Sequence, residues 1–137
     1  MNTIRKYIIV DDDQFSNILC GIEIENAVGE AEITTFTVPE KALAYIRDEF
    51  GKQLGLTILF LDINMPTLSG WEFMKQYDRL DETTRKQIRV YIVSSSVDDR
   101  DKTKAKANNS IMGLISKPLN QEAIISIAQS GNHVAWD

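Results

Sequence analysis

Three aspartates in a row, Asp11-Asp12-Asp13, follow the branched apolar run Tyr7-Ile8-Ile9-Val10. A fourth, Asp62, follows a second run, Leu56-Thr57-Ile58-Leu59-Phe60-Leu61, and Asn64 stands just beyond it. Ser94-Ser95-Ser96 follows Val90-Tyr91-Ile92-Val93, and Ser116-Lys117-Pro118 follows Ile111-Met112-Gly113-Leu114-Ile115. Carboxylates brought together repel and desolvate one another, so a cluster of Asp11, Asp12 and Asp62 requires a compensating cation. Donors that are all oxygen, with no His or Cys nearby, select a hard ion, Mg2+ ahead of a transition metal. Mg2+ takes one or two carboxylates together with a phosphate oxygen, which leaves Asp62 free to act as a nucleophile toward phosphorus. Lys117 and the Ser94 hydroxyl would then hold the phosphoryl oxygens and offset developing charge. Taken singly these features are ordinary: aspartates cap helices, serines fill loops, and Lys-Pro makes surface turns. Their joint placement, each directly after an apolar run, is what points to chemistry.

Such placement needs elements that bring the run ends together. With Ile33-Thr34-Thr35-Phe36 there are five apolar runs. Most are continuous rather than alternating and rich in branched residues, which is the pattern of strands buried on both faces of a parallel sheet. Helix-period segments lie between them. Phe15, Ile18, Leu19 and Ile22 fall at i, i+3, i+4 and i+7, the apolar face of a helix over residues 14–28. Residues 37–50 begin near Pro39 and repeat at Leu43, Ile46 and Phe50. Residues 69–77 carry Phe73, Met74 and Tyr77 on one side with Ser69 as N-cap, and the charged stretch 78–87 is expected to prolong that helix. Residues 98–108 place acids first and lysines later, as a helix dipole favours, and residues 120–130 carry Ile124, Ile127 and Ala128. Strand and helix thus alternate throughout. The expected fold class is α/β, a five-stranded parallel sheet of flavodoxin-like order 2-1-3-4-5 with helices on both faces. Sites in such sheets form beyond the carboxyl ends of the strands, and in this order Asp11 and Asp12 meet Asp62, Ser94 flanks it, and Lys117 reaches across.

The 137 residues allow one domain, assigned to residues 4–130, with residues 131–137 as a C-terminal tail. Hydrophobic residues at 43% and charged residues at 26% describe a globular chain with enough apolar surface for a core. Twenty acids against fifteen basic residues give a net charge of −5, which argues against nucleic acid or an anionic membrane as partner. A lone cysteine, Cys20, forms no internal disulfide, no run is long enough to span a bilayer, and the start lacks the apolar region of a signal peptide. The expected location is cytoplasmic.

At these residues the chain resembles the response-regulator receiver domain of two-component signalling. The resemblance is carried by Ile8-Ile9-Val10-Asp11-Asp12-Asp13, by Leu61-Asp62-Ile63-Asn64-Met65-Pro66 with Ser69-Gly70, by Ile92-Val93-Ser94-Ser95 and by Ser116-Lys117-Pro118. It covers about residues 4–130. It implies that Asp62 accepts a phosphoryl group from a sensor histidine kinase or a phosphotransfer protein. Asp12 then resembles the direct Mg2+ ligand, Asp11 the one acting through water, and Asn64 supplies its main-chain carbonyl. Ser94 resembles the switch hydroxyl and Lys117 the phosphoryl-binding lysine, in a Lys-Pro bond that is cis in that family. The output implied is altered binding to a downstream protein, through the surface of residues 98–130, and not substrate turnover. One position departs: the aromatic that often stands three residues before the lysine is Leu114 here, so the aromatic half of the usual switch is absent.

Two rival functions come from other classes, the second on the same fold. A small aspartyl-phosphate phosphatase would place its nucleophile after the first strand and carry a cap over it. An interaction module independent of phosphorylation would lack acids, and its support here is Leu114. The remaining candidates read as structural: His133 and Trp136 in the tail, Cys20 as a packed thiol, Trp71 as a packed ring, and Lys102, Lys104 and Lys106 as a solvated face.

Overall fold

The computed structural model describes residues 4–49, 55–130 and 135–136. Phe50 and His133 lie outside the described residues. The order is β1 (Ile4–Val10), α1 (Gln14–Val28), β2 (Glu32–Phe36), α2 (Pro39–Glu49), β3 (Leu56–Asp62), α3 (Gly70–Tyr77), α4 (Glu82–Lys86), β4 (Ile88–Ser94), α5 (Asp99–Ala107), β5 (Ile111–Ser116), α6 (Gln121–Ser130) and β6 (Ala135–Trp136). All strand pairs are parallel, and the sheet runs β2-β1-β3-β4-β5-β6. The expected order 2-1-3-4-5 is present. The tail adds a sixth, two-residue strand to the β5 edge, with Ala135 opposite Gly113 and Trp136 opposite Leu114.

Alternation along the strands builds two cores. Ile8, Val10, Leu59, Leu61, Val90, Ile92 and Leu114 face Ile46, Phe73, Met74, Tyr77 and Ala105 of α2, α3 and α5. Tyr7, Ile9, Ile58, Phe60, Tyr91, Val93 and Ile115 face Ile24 of α1 and Ile124 and Ile127 of α6. Both faces of β3 and β4 are therefore covered, which is why residues 58–61 and 90–93 are continuously apolar. Leu114 is a fully buried core residue.

Three expectations change. The row Phe15, Ile18, Leu19 and Ile22 does not face the sheet: those side chains are 65%, 52%, 48% and 46% exposed. The sheet takes another row of α1, with Asn17 and Ile24 buried and Cys20, Ala27 and Val28 packed alongside. Next, α3 ends at Tyr77 rather than continuing through the charged stretch, and α4 is separate. Past Tyr77 the main chain tightens to three-residue turns, with the Arg79 N–H donating to the Gln76 carbonyl at 3.1 Å and the Leu80 N–H to the Tyr77 carbonyl at 2.9 Å. The Asp78 carboxylate accepts from Asn108 Nδ2 at 2.9 Å and Ser110 Oγ at 3.2 Å, and Arg85 Nε donates to the Leu80 carbonyl at 2.9 Å. Finally, Lys104 is more than a solvated charge, since its Nζ lies 5.6 Å from the centre of the Trp71 ring.

Local chemistry sets the helix starts. Asp13 caps α1 by accepting from the N–H groups of Phe15 and Ser16, and Ser69-Glu72 and Asp98-Asp101 form reciprocal capping boxes at α3 and α5. Gly70 begins α3 under the end of β3. Its N–H donates to the Ile63 carbonyl at 2.7 Å, and a Cβ there would lie 2.7 Å from the Asp62 carbonyl oxygen. Gly70→Ala is therefore expected to lower the unfolding free energy by roughly 1–3 kcal/mol, the usual range for overpacking. Urea denaturation measures it, and a wild-type midpoint would mean that the backbone yields freely.

Candidate functional site

Register explains how distant residues meet. Val10 pairs with Leu61, Asp62 with Val93, and Ser94 with Ser116, so the carboxyl ends of β1, β3, β4 and β5 lie level. Asp11, Asp62, Ser94 and Lys117 stand at or just past those ends. One carboxylate oxygen each from Asp11, Asp12 and Asp62 lies within 4.8 Å of the others. Asp11 and Asp62 are buried, whereas Asp12 is exposed.

Each aspartate of the first run has its own task. Asp13 caps α1. Asp11 turns inward: its Oδ1 accepts the Asp13 N–H at 2.9 Å and its Oδ2 accepts from Lys117 Nζ at 2.6 Å. Asp12 is left at the mouth of the cluster. Lys117 Nζ also lies 3.7 Å from Asp62 Oδ1, so one ammonium serves two carboxylates. The Lys117–Pro118 bond is cis. The Lys117 N–H donates to the Ser94 carbonyl at 2.8 Å, which fixes the start of this connection to β4.

Ser94 is fully buried, and its hydroxyl faces its own loop. It donates to the Ser96 carbonyl at 3.0 Å and accepts the Ser96 N–H at 3.3 Å. Asn64 is exposed and contributes a backbone hydrogen bond to the Asp62 carboxylate. The reading of sequence overlooked Asn17, whose side chain meets the Asp11 carbonyl beneath the cluster. Its signal was present as a polar residue in phase with Cys20 and Ile24.

Burial, then the charge of Asp11, pushes the Asp62 carboxyl up to about 6, against the pull of Lys117 and the Asn64 hydrogen bond. Burial alone would lower the Lys117 pKa, but the hydrogen bond and charge of Asp11, with Asp62 and Asp13, outweigh it and raise it. Burial, with Asp11 behind it, pushes the Cys20 thiol up to about 12, and its side chain packs against the core under α1. Cys20 lines a cavity of about 400 Å³ that opens beneath α1 beside Asp62, walled by Ile9, Leu19, Phe60, Val93 and Leu119. The donor set fits a hard divalent cation: three close carboxylates, oxygen throughout, and one of them reluctant to ionise without added positive charge.

A doubly wound parallel sheet with an acid cluster and a lysine at its carboxyl edge defines a small class of α/β domains. Residues 7–129 match the family described as the response regulator receiver domain, and the chain belongs to that family, the receiver modules of two-component signalling. A response regulator receiver protein from Dyadobacter fermentans is 29% identical, with a TM-score of 0.82 over 90% of this chain and 94% of that one. A two-component response regulator from Cytophaga hutchinsonii is 28% identical, with a TM-score of 0.81 over 90% and 92%. The phosphorylated cyanobacterial phytochrome response regulator RcpA shares the fold at 23% identity and a TM-score of 0.70, over 93% and 90%. No match is found among curated proteins. Among the described residues, no helix is long and apolar enough to cross a membrane.

The raised Asp62 pKa has a definite sign in stability. The folded state holds a proton there more tightly than the unfolded state does. The contribution is complete below the unfolded value of about 3.9 and is lost as pH rises through about 6. Asp62→Asn removes this dependence, so without Mg2+ the variant should gain on the wild type between about pH 4 and pH 7. Urea midpoints in EDTA measure the difference, and a difference that does not change with pH would contradict the burial of this charge.

Proposed function

We propose that the domain accepts a phosphoryl group on Asp62 from the phosphohistidine of a sensor histidine kinase or phosphotransfer protein, with Mg2+ as cofactor. The observation that supports this most is a buried Asp62 carboxylate between an acid pair and a lysine ammonium. An Asp62 oxygen forms the new bond to phosphorus while the bond from phosphorus to the imidazole nitrogen breaks, and the electron pair leaves with the imidazole. Asp11, Asp12, Asp62 and the Asn64 main-chain carbonyl would hold Mg2+, which neutralises charge on the phosphoryl oxygens. Lys117 binds a phosphoryl oxygen, exchanging part of its bond to Asp11 for it. Ser94 reaches the phosphoryl group once its hydroxyl leaves Ser96, and that movement is the signal passed to the β4–α5 loop and a downstream protein.

The exposed row of α1 supports a protein phosphodonor. Phe15, Ile18, Leu19 and Ile22 form one contiguous apolar strip whose Leu19 also walls the cavity beside Asp62. Exposed strips of this kind mark interaction surfaces. The flanking Asp12, Asp13 and Glu25 favour a partner with an apolar helix face and basic margins.

Acetyl phosphate with Mg2+ should add one phosphoryl group by intact mass, and Asp62→Asn should not shift. Turnover of a small phosphoester with no labelled protein would favour the phosphatase reading instead. Asp12→Ala should remove the stabilisation that Mg2+ gives the wild type, about 1.4 kcal/mol at ten times the dissociation constant, read as a shift in melting temperature. An equal increment in both proteins would move the metal elsewhere. Phe15→Ser should change stability by no more than about 0.5 kcal/mol, as an exposed position allows, and leave labelling by acetyl phosphate intact. Transfer from the protein phosphodonor should slow at least tenfold, and an unchanged rate would exclude the strip as its docking surface.

A further inference from the structure

The row of α1 that lies on the sheet is apolar except at its start. Ile24 is fully buried and Cys20, Ala27 and Val28 pack beside it, yet the first residue of the row is Asn17, 2% exposed. A buried amide is unfavourable in an apolar row unless hydrogen bonds compensate it. Its Nδ2 donates to the Asp11 carbonyl at 3.0 Å and to the Phe36 carbonyl at 3.3 Å. The Phe36 carbonyl also accepts the Asp11 N–H at 3.0 Å. The β1 ladders end at Val10, so the Asp11 carbonyl lies beyond the last paired residue of either neighbour. One side chain thus joins the ends of β1 and β2 to the first turn of α1. The Asn17 main chain completes the loop, its N–H donating to the Asp13 carbonyl at 3.1 Å, while the Asp13 N–H donates to Asp11 Oδ1 at 2.9 Å.

We propose that Asn17 is a positioning residue for the acid pair: its amide sets the height of the Asp11-Asp12 turn above the sheet and so the spacing of Asp11, Asp12 and Asp62. The metal consequence rests on the proposed function, whereas the bracing of the turn rests on the hydrogen bonds alone. Loss of a partner one shell beyond the ligands typically weakens metal binding about 10–100-fold. A residue that only packed α1 would alter stability and leave Mg2+ affinity unchanged.

The test compares Asn17→Leu, which keeps the volume and removes both donated bonds, with Ile24→Val, which loosens the same row away from the turn. Calorimetric titration gives Mg2+ affinity, urea denaturation in EDTA gives stability, and hydrogen exchange in EDTA gives the protection of the Asp11 and Asp13 amides. Asn17→Leu should weaken Mg2+ binding at least tenfold and speed exchange at both amides. Ile24→Val should lose stability with affinity and exchange as in wild type. Should Asn17→Leu not fold, Asn17→Ser carries the same expectation. Affinity within twofold of wild type together with unchanged exchange overturns the proposal. If the wild type itself binds no Mg2+, the metal reading fails, and amide exchange alone decides whether Asn17 braces the turn.

Discussion

Asp11 and Asp62 stand within 4.8 Å of each other at the floor of a cleft, and both are buried. Two carboxylates so placed resist ionising together, and the fold answers with a single ammonium. Lys117 leaves the end of β5 and passes the ends of β4 and β3 to reach Asp11. That span is possible because the four strands end level and because the lysine stem is long. The same contact is incomplete compensation, since Nζ bonds Asp11 at 2.6 Å but lies 3.7 Å from Asp62. Asp62 therefore keeps a raised pKa, and the cluster keeps a standing preference for another cation. On the proposed function, stability and affinity for a metal oppose each other here: full neutralisation by side chains would stabilise the fold and remove the reason to bind an ion.

The strands and the acid cluster were legible because one physical fact underlies both. A strand buried on both faces must be continuously apolar, and its first polar residues mark where it emerges at the edge of the sheet. In a parallel sheet those edges coincide, so Asp11, Asp62, Ser94 and Lys117 could be placed together from order alone. The facing of α1 was not legible. Periodicity identifies an apolar row but not the direction in which it turns, and α1 carries two. The stronger one, Phe15 to Ile22 by hydrophobicity, is exposed; the one on the sheet begins with the polar Asn17 and includes the small Ala27, which weakens its signal. The end of α3 was hidden for another reason. At its C-cap the Asp78 carboxylate bonds Asn108 and Ser110, thirty residues and more away, and no local propensity reports a bond of that range. The two residues of β6 are too few to show any period.

On the proposed function, the response begins at Ser94, and its resting bonds define what must change. The hydroxyl both donates to and accepts from the Ser96 backbone, so turning it toward a phosphoryl group on Asp62 breaks two bonds and frees the loop that leads to α5. An aromatic side chain at position 114 would offer a second moving part, but Leu114 is fully buried in the core with Val90, Ile92 and Ala105. It has no polar end to exchange between core and solvent. Transmission then falls to the loop and to α5 itself, and α5 is suited to it. Ala105 is its one buried residue among those described, so little apolar contact resists a shift, and segments with few such contacts are the ones that move at low free-energy cost. The Lys104 ammonium over Trp71 links α5 to the start of α3. Gly70 sits at that same start, where a Cβ would meet the Asp62 carbonyl. On the proposed function, transmission from Asp62 through Ser94 and its loop to α5 therefore needs no aromatic in β5.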